Sequence, residues 1–146
     1  MKISSKGEYG LRALFDLAMH YGSRPRRSRE IAEAQKVAED YLNQLLIVLR
    51  KAGLIHSLRG PQGGHVLARP PHQITLYDAL SELEGSLSPV EYSNDLREKS
   101  MVEVDEILNP IWDEVEQQII ATLKSTSLQA LMERHHSLQA QVMYHI

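Results

Sequence analysis

EDYLNQLLIVLRKAG (39–53), LIHSL (54–58), RGPQGG (59–64) and HVLA (65–68) together decide how this chain is read. The first segment carries leucines at 42, 45, 46 and 49, the spacing of one apolar helix face. Gly53 suits the residue just past a helix end. The next three segments read as a strand, a glycine-rich turn and a return strand. A helix followed at once by a two-stranded ribbon with a basic tip has the shape of a winged helix-turn-helix. Its helix lies in a major groove, and its tip carries Arg59 to the adjoining minor groove or backbone.

Upstream, Ser5 and Glu8 have the S-x-x-E spacing of a capping box. The helix they open runs to about Tyr21, with Leu11, Leu14, Phe15, Leu17 and Ala18 on its apolar side. RPRRSR (24–29) then holds four arginines, which suit phosphate contacts or a solvated basic loop alike. Ser28 reads as the N-cap of SREIAEAQ (28–35), and KVAED (36–40) turns into the second helix. Two short helices so joined are a weak signal of a helix-turn-helix, and the ribbon strengthens it.

Away from its leucines, the second helix offers Asp40, Asn43 and Gln44. Asn and Gln pair bidentately with adenine, and Asp accepts from cytosine N4. Tyr41 either reaches a phosphate or stacks in the core. In the turn, Gly60, Gly63 and Gly64 permit positive φ and close approach, and Gln62 can donate to phosphate or sugar. Arg50 and Lys51 are explained by the negative end of the helix dipole.

Downstream, Thr75 and Asp78 open TLYDALSELEG (75–85), which Gly85 ends. Residues 86–100 read as a loop. From Met101 to Ser125 an amphipathic helix carries Leu108, Ile111, Trp112, Val115, Ile119 and Leu123 on one stripe, opposite an acidic face. Pro110 either kinks it or marks its start near Asn109. Such a stripe needs a partner surface, which a second copy of the chain or its own domain would supply. Residues 125–136 suggest a further short helix capped by Ser125 or Thr126. The expected organisation is a mainly α chain: a winged-helix domain over 1–85, a loop over 86–100, and a dimerisation helix with a C-terminal segment over 101–146.

The net charge of −3 conceals an asymmetry. Residues 1–69 hold 12 Lys+Arg against 6 Asp+Glu, and residues 70–146 hold 4 against 13. A basic half joined to an acidic one fits a polyanion-binding module with an appended module, though ordinary solvated surfaces also split this way. With no cysteine, disulfides and thiolate metal sites are excluded. No apolar run reaches transmembrane length and the start lacks a signal-peptide core, so a cytoplasmic protein without membrane partners is expected. Neither His135 with His136 nor His56 with His65 supplies the i,i+4 histidine pair plus carboxylate expected of a zinc site. His56 and His65 are expected to face each other across the hairpin as ordinary surface residues. No nucleophile elbow or phosphate loop is present, and RGPQGG leads to a strand rather than a helix, which argues against an enzyme.

MKISSKGEYGLRAL (1–14), YLNQLLIVLRKAGLI (41–55), LRGPQGGHVLAR (58–69) and ITLYDALSELEG (74–85) resemble the Rrf2 family of bacterial transcriptional regulators. The resemblance implies a winged-helix homodimer on partly palindromic double-stranded DNA, with a long helix crossing to the partner. It implies a minor-groove role for Arg59 and major-groove roles for Asp40, Asn43 and Gln44. Asn43 departs from the glutamate common in cluster-binding members. Many members hold an iron–sulfur cluster on three cysteines. This chain has none, so no cofactor is expected, and Glu8, where some relatives use a carboxylate ligand, is read as a cap. The effector is then an unidentified protein or small molecule. The alternative is a small-molecule or metal sensor whose site lies in the C-terminal half or dimer interface.

Overall fold

Helix α1 (Ser5–Met19) is the post against which four other helices lean, in a computed structural model that describes residues 1–90 and 102–145. Its Ala13, Leu14, Leu17 and Ala18 are buried, and α2 (Ser28–Gln35), α3 (Glu39–Lys51) and α4 (Leu76–Glu84) pack on or around them. The leucine spacing of α3 does what it predicts: Leu42, Leu45, Leu46 and Leu49 are all in the core. Each buried leucine contributes about 1.5–3 kcal/mol over an exposed one, so this row sets which side of α3 faces out.

Local capping differs from expectation at three helix starts, those of α1, α2 and the last helix. Ser4, not Ser5, caps α1: its Oγ accepts from the Gly7 amide at 3.5 Å. Ser4 also donates through its amide and hydroxyl to Glu84 Oε1, at 2.9 and 2.8 Å, which ties α1 to the end of α4. Glu8 is exposed and takes no part in the cap. At α2, Arg27 is the capping position, and Glu30 accepts from its amide at 3.2 Å. Ser28 lies one residue inside the helix, and its hydroxyl is used elsewhere. The Thr75–Asp78 capping box forms as expected, with reciprocal bonds of 2.9 and 3.1 Å.

Strands β1 (Ile55–Leu58) and β2 (Gly64–Leu67) pair antiparallel, Ile55 opposite Leu67 and Ser57 opposite His65. This register corrects the expected histidine pair: His56 faces Val66, and His65 faces Ser57. Period-two alternation sends Ile55 and Leu67 into the core, which fixes the root of the wing.

Helix α5 (Val102–Lys124) runs continuously through Pro110, which rules out a fresh start near Asn109. Pro110 has no amide to donate to the preceding turn, and it sits exposed on the helix. The corner after α5 is stitched to α4: the Leu76 amide donates to Thr126 O and the Leu128 amide to Ile74 O, each at 2.9 Å. Helix α6 (Leu128–Tyr144) is much longer than the expected 125–136 and is capped by Ser127, whose Oγ accepts from Ala130 N at 3.1 Å. Ser125 and Thr126 instead donate back to Thr122 O. Helix α6 packs on α1 and plants Leu128, fully buried, in the core. The loop expected over 86–100 lies outside the described residues from 91 onward.

Candidate nucleic-acid interface

With its leucines inward, α3 turns Asp40, Asn43, Gln44, Ile47 and Arg50 outward, all exposed. They fall in two rows: Asn43, Ile47 and Arg50 along one, Asp40, Gln44 and Ile47 along the other. The first row faces the wing. Asn43, Leu46, Ile47 and Arg50 line one side of a shallow cleft, and Ser57 and His65 line the other. The sequence-predicted residues of α3 and the wing are therefore neighbours on one surface. Tyr41 differs: it is half-buried, edge-on to Tyr9 with ring centroids 6.0 Å apart, so its ring serves packing.

At the wing tip, Arg59, Gly60 and Gln62 are exposed. Arg59 makes no hydrogen bond or ion pair among the described residues, whereas the loop arginines 24, 26, 27 and 29 are all engaged. The glycines shape the turn. A Cβ on Gly63 would sit 2.2 Å from Leu58 O, and one on Gly64, at φ +147°, 2.6 Å from Arg26 O. No side chain fits either place without moving backbone.

The close approach at Gly64 exposes the part of the site that sequence reasoning missed. Arg26 forms an isolated antiparallel bridge at the edge of the wing through two backbone bonds with His65, of 2.9 and 2.7 Å. Its side chain turns the other way and clasps buried Asp16 on α1, Nε donating at 2.9 Å and Nη2 at 3.2 Å. Glu30 accepts from Arg26 at 3.1 Å and from Arg24 at 2.7 Å. Hydrogen bonding to Arg24 and to the Arg27 amide holds the Glu30 carboxyl down at about 2. Arg27 reaches the tip itself, donating to Pro61 O. The basic loop thus braces the wing rather than standing as a set of free cations. Asp16 was the available signal, a lone carboxylate among Ala13, Leu14, Leu17 and Ala18, since a charge there needs a cation brought to it.

His65 is the second missed residue. Half-buried between wing and helix, it bonds Ser57 Oγ through Nδ1 at 2.8 Å and Ser28 Oγ through Nε2 at 2.9 Å. Burial, with the nearby Arg50 charge second, pushes its pKa below the usual histidine value. It is a clamp joining β1, β2 and α2 beside α3, not a surface histidine.

A basic two-stranded wing beside an outward-facing helix is the architecture shared with known regulators. The Rrf2 family model, described as an iron-dependent transcriptional regulator, matches residues 3–134. The chain belongs to the Rrf2 family. It is 38% identical over 146 residues to the HTH-type transcriptional regulator CymR of Bacillus subtilis, each chain being covered in full. It is 30% identical over 138 residues to IscR of Xenorhabdus nematophila, covering 94% of this chain and 83% of that one. Among solved structures, B. subtilis CymR, the global cysteine regulator of that organism, superimposes with a TM-score of 0.73 at 39% identity, over 92% of this chain and 98% of that one. IscR of T. potens superimposes with a TM-score of 0.77 at 40% identity, over 95% and 91%. This Rrf2 protein is accordingly a winged-helix, DNA-binding transcriptional regulator, and its relatives are regulators rather than enzymes.

Iron, named in the family description, needs a set of donor side chains to hold it. The chain has no cysteine, and among the described residues no group of three or more His, Cys, Asp or Glu side chains is placed to hold a metal. These residues do not fit a thiolate-held iron site. Among the described residues, no helix is long and apolar enough to cross a membrane.

Proposed function

We propose that this Rrf2 protein acts in the cytoplasm as a homodimer on a partly palindromic operator, without a cysteine-ligated cluster. The observation that carries the reading is the shared surface of α3 and the wing. Asn43, Gln44 and Asp40 stand outward on α3, and Arg59 at the neighbouring tip has no partner among the described residues. Asn43 and Gln44 read base edges in the major groove, with Asp40 beside them, and Tyr41 is left its hydroxyl for a phosphate. Arg59 enters the flanking minor groove, where negative potential is concentrated, and Gln62 meets backbone. Gly60, Gly63 and Gly64 serve by letting the tip approach closely.

Two such heads must be held about one helical turn apart, some 34–36 Å, to reach successive major grooves. Helix α5 supplies the means. Leu108, Ile111 and Val115 on it are exposed, while Trp112, Ile119 and Leu123 are half-covered. A shallow apolar hollow runs along Val115, Ile119 and Leu123 on the same face, an apolar surface that a second copy would cover. The test is recovery of bound sequences from fragmented genomic DNA by purified protein. A two-fold motif that is lost with Arg59→Ala and changed with Gln44→Ala supports the reading. Recovery of random sequence overturns it.

A further inference from the structure

A second cleft, of about 350 Å³, opens where the end of α1, the loop after it and β2 meet. Clefts of this order, about 300–1,000 Å³, suit small molecules. Leu17 and Leu67 give it apolar surface, and four basic side chains line it: His20, Arg24, Arg26 and His65. Among the described residues no acidic side chain lies on its wall. Asp16 and Glu30, which pair with its two arginines, stay off that wall.

We propose that this cleft binds a small organic acid with an apolar body, its carboxylate held by Arg24, and that the bound acid shifts the wing. The binding site stands independently of the DNA reading above, and only the effect on DNA affinity rests on that reading. Arg24 carries the argument because it is the one permanent cation on the wall that can be redirected. Both ring nitrogens of His65 are taken by Ser57 and Ser28. Three nitrogens of Arg26 are held by Asp16 and Glu30. Arg24 bonds only Glu30 and the neighbouring Pro25 O, and its side chain is 69% exposed. An exposed pair contributes little to the fold and exchanges readily. When Arg24 leaves, Glu30 keeps Arg26 and the Arg27 amide, so exchanging one carboxylate for another strands no charge.

The chemistry of the exchange is already on display. Arg24 grips Glu30 as a fork, at 3.0 and 2.7 Å, which is the geometry a ligand carboxylate needs. The hydroxyls of Tyr21 and Ser23, also on the wall, have no partner among the described residues and can donate to the acid as well. At the end of α1 the carbonyls of Asp16, Leu17 and Ala18 accept from His20 and Tyr21, so the helix end offers an anion no bare acceptor. On the opposite side, Leu67 is buried at the root of the wing and His65 clamps both strands to α2. A body lodged between β2 and the end of α1 therefore bears on the Arg26–His65 backbone bonds that fix the edge of the wing.

Hexanoate is the probe, titrated into the isotope-labelled full chain and followed through the amide NMR signals, with hexylamine, hexanol and acetate as controls. Hexanoate should saturate with a dissociation constant of about 1 mM or tighter, moving the signals of residues 20–26 and 65–67. The controls lack the charge or the apolar body and should bind at least about tenfold more weakly. Hexylamine or hexanol binding as well as hexanoate overturns the carboxylate assignment. Shifts confined to residues 115–123 of α5 overturn the site. Arg24→Gln, an exposed change that leaves the urea midpoint nearly unchanged, should weaken hexanoate at least about fivefold. Undiminished binding overturns the role of Arg24. On operator DNA, saturating hexanoate should change affinity at least about fivefold relative to acetate at equal ionic strength, in the parent protein and not in Arg24→Gln. Binding without that change overturns the coupling to the wing and leaves the DNA reading untouched. If no operator is recovered, the DNA reading falls while the NMR titration still decides the site.

Discussion

Asp16 and Arg26 form a two-bond ion pair between the core helix and the loop residue that bridges to the wing. The Asp16 side chain is 3% exposed and the Arg26 side chain 15%. The pair raises the Arg26 pKa further, through the hydrogen bond to Asp16 first. Since Arg26 also pairs its backbone with His65, the angle of the wing is set from inside the domain. Asp16→Ala should destabilise the protein by about 1.5–3 kcal/mol, because Arg26 loses two charge-assisted bonds and keeps only Glu30 as a counter-charge. Asp16→Leu combined with Arg26→Met should recover much of that loss in urea unfolding, since apolar replacement of both partners is often near neutral.

His65 should make stability depend on pH. Its folded pKa lies below the ordinary 6.5, so the unfolded chain takes up the proton first. Stability from this group is therefore full above pH 6.5 and falls as pH drops through the folded value. His65→Gln keeps a side chain able to bond Ser57 and Ser28 but does not titrate. Urea midpoints measured downward from pH 7.5 should show a shallower fall for this variant than for the unmodified protein.

Arg59→Ala should leave the unfolding midpoint unchanged, since the side chain has no partner among the described residues. Its effect should appear on DNA alone. Affinity should fall for the operator, and the slope of log affinity against log salt should shrink by about one counterion contact. Fluorescence anisotropy across a salt series measures both.

Gln44→Ala should behave differently from Arg59→Ala. A lost base contact costs about 1–3 kcal/mol on the preferred sequence and little on unrelated DNA. The ratio of specific to non-specific affinity should therefore fall while the salt slope holds. Competition binding with single-position operator variants locates the base that Gln44 reads.

Ile111→Asp should separate dimerisation from folding. Ile111 is 46% exposed, so a charge there costs the single chain little. On a paired α5 it would be buried without a partner and costly. Sedimentation should show monomer at concentrations where the parent protein is dimeric, with far-UV circular dichroism unchanged.

The reading head was legible in the sequence for a local reason. The leucines of α3 and the glycines between β1 and β2 act over a few residues, and their spacing states which side is buried and where the chain turns. The Thr75–Asp78 cap was equally local and formed as read. Ser4 displaced Ser5 as the cap of α1 because Glu84, from a distant helix, fixes Ser4 by two hydrogen bonds. The full length of α6 was obscured because its second half is exposed and packs on nothing in its own domain, so no buried face marks where it ends.

By itself, the sequence determined a winged helix-turn-helix with outward Asp40, Asn43 and Gln44, a basic tip at Arg59, and no thiolate for a metal. Only the tertiary structure decided what the other arginines are for. Arg24, Arg26 and Arg27 looked alike in the chain, and burial of Asp16 at one end and the approach of Gly64 and Pro61 at the other gave each a different partner. Such partners are chosen by desolvation, which acts on residues brought together by folding and leaves no period in the sequence.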